Sequence, residues 1–280
     1  MSSLVPALHH GSIAQVNDLT TYLEAAAGAG FRAADFNMSH ARDLAKAESP
    51  EAVAEAFTSR GIQAGAWGSG VQVIASNSAF ESALADLEKS AELGALLNAQ
   101  TAAVLAPNRT HLPFDEAMDL FSVRVGEIAD TMARYGIAVS LEFIGPNLWP
   151  EQPHEFIAGI SATLELIDRV GRVNVGILFD TYHYHCGPND LSDIIAAGRT
   201  INHVHLNDAP PGDVSRLDDS MRRLPGKGII DLIEIAAALN VAGYTGPGGV
   251  EVFDDELRAL PALEGARKIA SACIDVFGTL

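Results

Sequence analysis

Two stretches of this 280-residue chain carry side chains that could do chemistry together. The first, VNVGILFDTYHYHCG from Val173, is an apolar run that closes on Asp180, with His183 three residues later. The second, TINHVHLND from Thr200, places His203 and His205 on one face of a strand, because strand side chains alternate with period 2. Two more apolar runs end in the same way: AVSLEF carries Glu142 and GVEVF carries Glu251. Carboxylate and imidazole together suit a divalent ion with mixed oxygen and nitrogen ligands, such as Mn, Co, Fe or Zn. A carboxylate buried at the end of an apolar strand is costly unless it is paired or metal-bound. Taken singly, each acid is explained as well by a neighbouring Arg. Four such strand ends side by side are better explained by one shared metal site.

That site needs four parallel, neighbouring strands, and the rest of the chain is patterned to supply them. Short strand patterns at Leu4–Gly11, Ala33–Met38, Ile62–Trp67 and Thr101–Pro107 precede the four acid- or histidine-bearing ones. Helical spacing separates them: from Asn17-Asp18 through Ala27, Ala41–Ser59 with a break at Ser49-Pro50, Asn77–Leu97, and Phe114–Tyr135 ending at Gly136. It recurs over His154–Val170, Asp190–Ala197, Ile229–Leu239 and Asp255–Phe277. Strand and helix alternate eight times with no linker, which predicts one (β/α)8 TIM barrel domain spanning 1–280. Active sites in that fold lie at the C-terminal ends of the strands, where Glu142, Asp180, His205 and Glu251 all fall.

Other residues are candidates with bland alternatives. His203, beside His205, reads as a supporting donor, a buried hydrogen-bonded histidine or a substrate contact, and His183 as a substrate contact, a supporting residue or a helix cap. His9 and His10 are weaker pocket candidates. Trp67, Trp149 and Phe253 could wall a substrate or simply pack the core. The segment Asn207–Gly228 is long and polar, the kind of loop that is usually functional. Its Arg216, Arg222, Arg223 and Lys227 read either as a solvated charged stretch or as a clamp for an anionic group, with Arg216 taken as the substrate contact.

Composition excludes several classes. A net charge of −18 argues against nucleic acid and against anionic membrane surfaces. An anionic substrate would need a local cluster of cations to overcome that field. Cys186 and Cys273 match no zinc spacing and no disulfide framework. No apolar run approaches the roughly 20 residues of a membrane span. The first residues do not form a signal peptide, so the expected location is cytoplasmic.

The motifs SLEF, FDTYHYH, HVHLND and VEVF resemble the xylose isomerase-like barrel superfamily, in its sugar (phosphate) isomerase and epimerase branch, over nearly the whole chain. The resemblance implies that Glu142, Asp180, His205 and Glu251 ligate one divalent ion, Mn2+ first, with Mg2+, Co2+, Fe2+ or Zn2+ as alternatives. It implies that His183 contacts substrate, and that RLPGKG from Arg223 is the loop before the seventh helix. The apurinic endonuclease branch has similar motifs but needs an Asp-x-His pair shortly before the Gly-Lys-Gly. Ser220 and Arg222 stand there, so that branch is set aside.

The expected activity is proton transfer α to a carbonyl of a small sugar or polyol-derived ketone, through an enediolate that the metal stabilises. Glu142 and Glu251, expected on opposite sides of the barrel mouth, form the catalytic pair. Loss of a β-hydroxyl from the same enediolate would instead make a dehydratase of the inosose or dehydroshikimate type. A non-catalytic metal- or sugar-binding subunit is the third reading. A homodimer is the assembly expected of such a barrel.

Overall fold

The computed structural model of the protein describes residues 4–14, 16–146, 148 and 150–280. Eight parallel strands form its centre: β1 (Val5–His9), β2 (Ala33–Asp35), β3 (Gln63–Ala64 continued by Trp67–Gly68) and β4 (Thr101–Ala106). They are followed by β5 (Ala138–Phe143), β6 (Val175–Asp180), β7 (Ile201–Leu206) and β8 (Pro247–Val250). Gln63–Ala64 pairs with β2, and Trp67–Gly68 pairs with β4. The two ends of the sheet are therefore consecutive pieces of one strand, and the sheet closes into the expected (β/α)8 TIM barrel. β8 lies between β1 and β7, and β6 joins β7 to β5, so the four ligand-bearing strands are neighbours.

The helices cover the outside of the barrel: α1 (Leu19–Ala29), α2 (Met38–Ala47), α3 (Pro50–Thr58), α4 (Asn77–Leu96), α5 (Phe114–Ala133) and α6 (Ile160–Val170). The series continues with α7 (Thr181–Cys186), α8 (Leu191–Ala197), α9 (Leu232–Ala242), α10 (Asp255–Arg258) and α11 (Ala262–Phe277). Local chemistry sets their limits. Ser49 accepts from the Ala52 N–H and Pro50 opens α3, so the predicted break falls where expected. Gly30 and Gly171 end α1 and α6 in left-handed conformations that only glycine adopts cheaply. One continuous apolar core lies between strands and helices, built by Leu8, Phe36, Val104, Phe121, Leu141, Ile177, Val204 and Ile269. No helix among the described residues is long and apolar enough to cross a membrane.

Several boundaries differ from the periodicity, each for a physical reason. The helix expected from His154 begins only at Ile160, because His154–Glu155 pairs with Arg109–Thr110 in a small antiparallel ribbon. The expected Ile229 start moves to Leu232, since the amides of Ile229 and Ile230 are taken by the Ala209 carbonyl and the Asp208 carboxylate. The last helix is two, interrupted before Pro261, which cannot continue the first.

Candidate active site

Asp180 is both the last residue of β6 and the cap of α7. One carboxylate oxygen, Oδ1, accepts from the amides of Tyr182 and His183 at 2.8 and 2.9 Å. The other, Oδ2, faces the barrel mouth. His205 lies opposite it in register on β7, and Thr181 and Asn207 tie the two strand ends together through the Thr181 hydroxyl. The His205 Nδ1 stands 3.3 Å from Glu142 Oε1, 3.2 Å from Glu251 Oε2 and 3.9 Å from Asp180 Oδ2. One donor atom from each of the four residues lies within 4.8 Å of the other three. The strands that carry Glu142 and Glu251 are separated by β6 and β7. The two acids thus flank one imidazole rather than facing each other across the mouth.

The long segment after β7 delivers a fifth side chain. The amides of Ala209, Gly228 and Ile230 donate to the Asp208 carboxylate. Asp208 and Arg223 also exchange backbone hydrogen bonds, at 2.9 and 2.8 Å. The loop is closed at its neck, and Arg222 is turned inward and fully buried. Its Nη1 donates to Asp180 Oδ2 at 2.7 Å and to Glu251 Oε2 at 2.9 Å. Its Nη2 donates to His183 Nε2 at 3.0 Å and to Asp219 at 3.3 Å. The guanidinium also lies over the Phe253 ring, 4.9 Å from its centroid. His9 Nδ1 accepts from the Gly11 amide, so its Nε2 carries the proton that faces Glu251 Oε1 at 3.4 Å.

Burial and charge set the ionisation of these groups. Burial alone would lift the Asp180 carboxyl, but Arg222 and His183 beside it hold it below the ordinary carboxylate value. Glu251 is likewise buried, yet His9, His205 and Arg222 hold it well down. Burial pushes Glu142 up, with His205 opposing. Burial pulls His183 down to about 4 and His9 to about 3, so both are neutral imidazoles at neutral pH. Burial acts the same way on His205, but the facing Glu251 and Glu142 reverse it and raise it well above the ordinary value.

The four residues expected to ligate a metal are therefore brought together, and His183 touches them through Arg222. Three other expectations are corrected. Trp67 is 2 % exposed and packs outward against Gly94 of α4. Arg216 has a side chain 86 % exposed, paired with Asp213 three residues earlier, away from the cluster. His203 is buried below the mouth, where it bonds Asp35 at 2.9 Å, and cannot meet a substrate from there. Trp149 lies outside the described residues. The sequence marked Arg222 as one of four loop cations and as the residue standing in place of the endonuclease-type histidine, without placing it in the cluster. Asp35 gave no signal beyond an acid at the end of a short apolar strand.

A cavity of about 1560 Å3 lies elsewhere, between α2 and α4. It reaches the mouth at His10, Asn37 and Ser69, and none of the four clustered ligand residues lines it.

The donor set fits a divalent ion. Three carboxylates and one imidazole converge, and His205 Nδ1 is buried without a hydrogen-bond partner at the centre of them. The chain belongs to the xylose isomerase-like TIM barrel family, whose sequence profile matches residues 23–273. An inosose isomerase from Halalkalibacterium halodurans is 30% identical over 151 residues, 54% of this chain and 51% of that protein. A ketose 3-epimerase from Arthrobacter globiformis is 29% identical over 136 residues, 48% of this chain and 42% of that one. The chain thus spans about half the length of the curated relatives it matches. In structure it is similar to the IOLI protein with a bound zinc atom, at a TM-score of 0.84, with 22% identity over 99% of this chain and 98% of that one.

Proposed function

We propose that this protein is a divalent-metal-dependent isomerase or epimerase of uncharged ketoses or inososes. The observation that carries this reading is the convergence of Glu142, Asp180, His205 and Glu251 within 4.8 Å at the C-terminal mouth of the barrel. These four would hold the ion, which when bound supplies Lewis-acid polarisation of a substrate carbonyl. The related inosose isomerases and ketose epimerases, which act on small polyol-derived ketones by name, support the same reaction class.

The chain's own groups divide the remaining work. Glu142 and Glu251 face one space from two sides of His205 and form the proton-transfer pair. One carboxylate takes the proton from the carbon next to the carbonyl; the C–H electron pair becomes the C=C bond and the carbonyl π pair moves onto oxygen, giving an enediolate. The other returns a proton, to the opposite face for epimerisation or to the neighbouring carbon for isomerisation. Arg222 holds Asp180, Glu251 and His183 in place through its two Nη groups. Asp180 mainly anchors, held by two amides, Asn207 and Arg222.

Charge selects the substrate class. Arg222 is already shared by Asp180, Glu251 and Asp219, and Arg216 points to solvent. A phosphate or carboxylate group would meet the three clustered carboxylates, with the guanidinium beside them already engaged.

The test is solvent-deuterium exchange followed by NMR. The protein with added Mn2+ is incubated in D2O with ketoses, ketose phosphates, inososes and hydroxypyruvate. Deuterium is expected at the α-carbon of an uncharged ketose or inosose, lost on adding EDTA and lost in Glu251→Gln. Exchange confined to phosphorylated substrates would reject the charge argument. A dehydrated product would replace isomerisation by elimination. No exchange in any substrate, with the ion bound, would reject the enzyme reading.

A further inference from the structure

Beneath the mouth sits a second group of ionisable side chains that the proposed reaction does not use: Asp35, His203 and the far edge of His205. Asp35 is 1 % exposed. Its Oδ1 accepts from the Ala66 amide at 2.7 Å. Its Oδ2 receives His203 Nε2 at 2.9 Å and faces His205 Nε2 at 3.7 Å, the latter an electrostatic contact rather than a hydrogen bond. A carboxylate so deeply buried needs compensation, and imidazoles provide it here. The barrel also makes room for it. A side chain on Gly65 would collide with Asp35 Oδ1, and one on Gly249 would collide with Oδ2. The chain thus carries glycine on both sides of the carboxylate, at Gly65 within β3 and at Gly249 on β8.

We infer that Asp35 is a positioning residue: it holds His205 with Nε2 turned inward, so that Nδ1 is presented to Glu142, Asp180 and Glu251. An imidazole has two nitrogens on opposite sides of the ring. With Asp35 beneath it, the orientation that points Nε2–H down is favoured, because the flipped ring would set a C–H against the carboxylate. The nitrogen left facing the mouth is the one 3.2–3.3 Å from Glu251 and Glu142. His203, whose ring stands at 88° to that of His205, fixes Asp35 from the other side. A carboxylate that accepts the free N–H of a ligating histidine raises its basicity and fixes its tautomer; at 3.7 Å Asp35 acts on His205 by charge. The inference rests on the metal-site reading of the proposed function.

The experiment measures metal binding, not turnover. EDTA-stripped wild type and Asp35→Asn are titrated with Zn2+ by calorimetry, and their melting temperatures are recorded in parallel. Asn keeps an oxygen for the Ala66 amide but removes the charge under His205. Positioning predicts binding weakened about 10- to 100-fold in a variant that still melts cooperatively. Equal affinity in a variant that merely melts earlier would make Asp35 structural and overturn the inference. Zn2+-loaded wild type, with ring nitrogens labelled by 15N, gives a second reading independent of any variant. His205 should show a metal-bound Nδ1 and a protonated Nε2, and the reverse assignment would overturn the inference even if Asp35→Asn fails to fold. Wild type that takes up no ion would reject the metal site itself, and with it both proposals.

Discussion

Replacing Arg222 by methionine removes the cation from the carboxylate cluster and leaves a side chain of similar length. The guanidinium bonds Asp180 at 2.7 Å and Glu251 at 2.9 Å. At an effective dielectric of about 20, each contact carries a gross attraction of about 6 kcal/mol. Desolvating the buried ions offsets much of that attraction. Removing one partner leaves the others buried and uncompensated, a loss of about 3–5 kcal/mol. For a chain of this size, each kcal/mol moves the melting temperature by roughly 2–3 °C. The variant in EDTA should therefore melt about 6–15 °C below wild type, followed by circular dichroism. A divalent ion should then stabilise the variant more than it stabilises wild type, because it supplies the missing positive charge at the same oxygens. At a free ion concentration of about 100 times the dissociation constant, a single site contributes about 2.7 kcal/mol. A variant that melts within about 2 °C of wild type in EDTA would refute the placement of Arg222 as the compensating cation.

Two further predictions separate the reacting groups from residues the sequence alone would have placed beside them. Glu142→Gln and Glu251→Gln should each slow α-proton exchange by about 100-fold or more, read by NMR in D2O with Mn2+ held at saturation. Exchange at the wild-type rate in either would remove that residue from the proton-transfer pair. Arg216→Ala and Trp67→Phe should both leave KM unchanged in steady-state assays, since one side chain is in solvent and the other faces α4. The first should also keep stability within about 0.5 kcal/mol, whereas the second should lower it by trimming a packed core side chain.

The barrel was legible because its strands are continuous apolar runs and its helices carry an apolar stripe. Both signals belong to local sequence. The four clustered residues were legible for a related reason: Glu142, Asp180, His205 and Glu251 each interrupt an apolar strand at its end, where an unpaired charge would be costly. What eluded the reading depends on direction rather than type. Trp67 and a pocket-lining Trp look alike in a string, and only the inward or outward turn of β3 separates them. The choice between Arg216 and Arg222 depends on how Asp208 closes the loop by accepting from Ala209, Gly228 and Ile230. The strand at His154–Glu155 leaves no local mark, because its pairing partner, Arg109–Thr110, lies more than 40 residues away.

The inward turn of Arg222 also decides what charge the site can accept. Three carboxylates, Glu142, Asp180 and Glu251, face His205, and one guanidinium is set permanently against two of them. Taking the imidazole as neutral when it ligates, the cluster is left with two negative charges, which one divalent ion balances. A second ion set between Asp180 and Glu251 would have to displace the hydrogen bonds that Arg222 makes to both. One ion thus balances the three carboxylates and Arg222, which, with a net charge of −18, supports the proposed preference for a substrate carrying hydroxyls and a carbonyl.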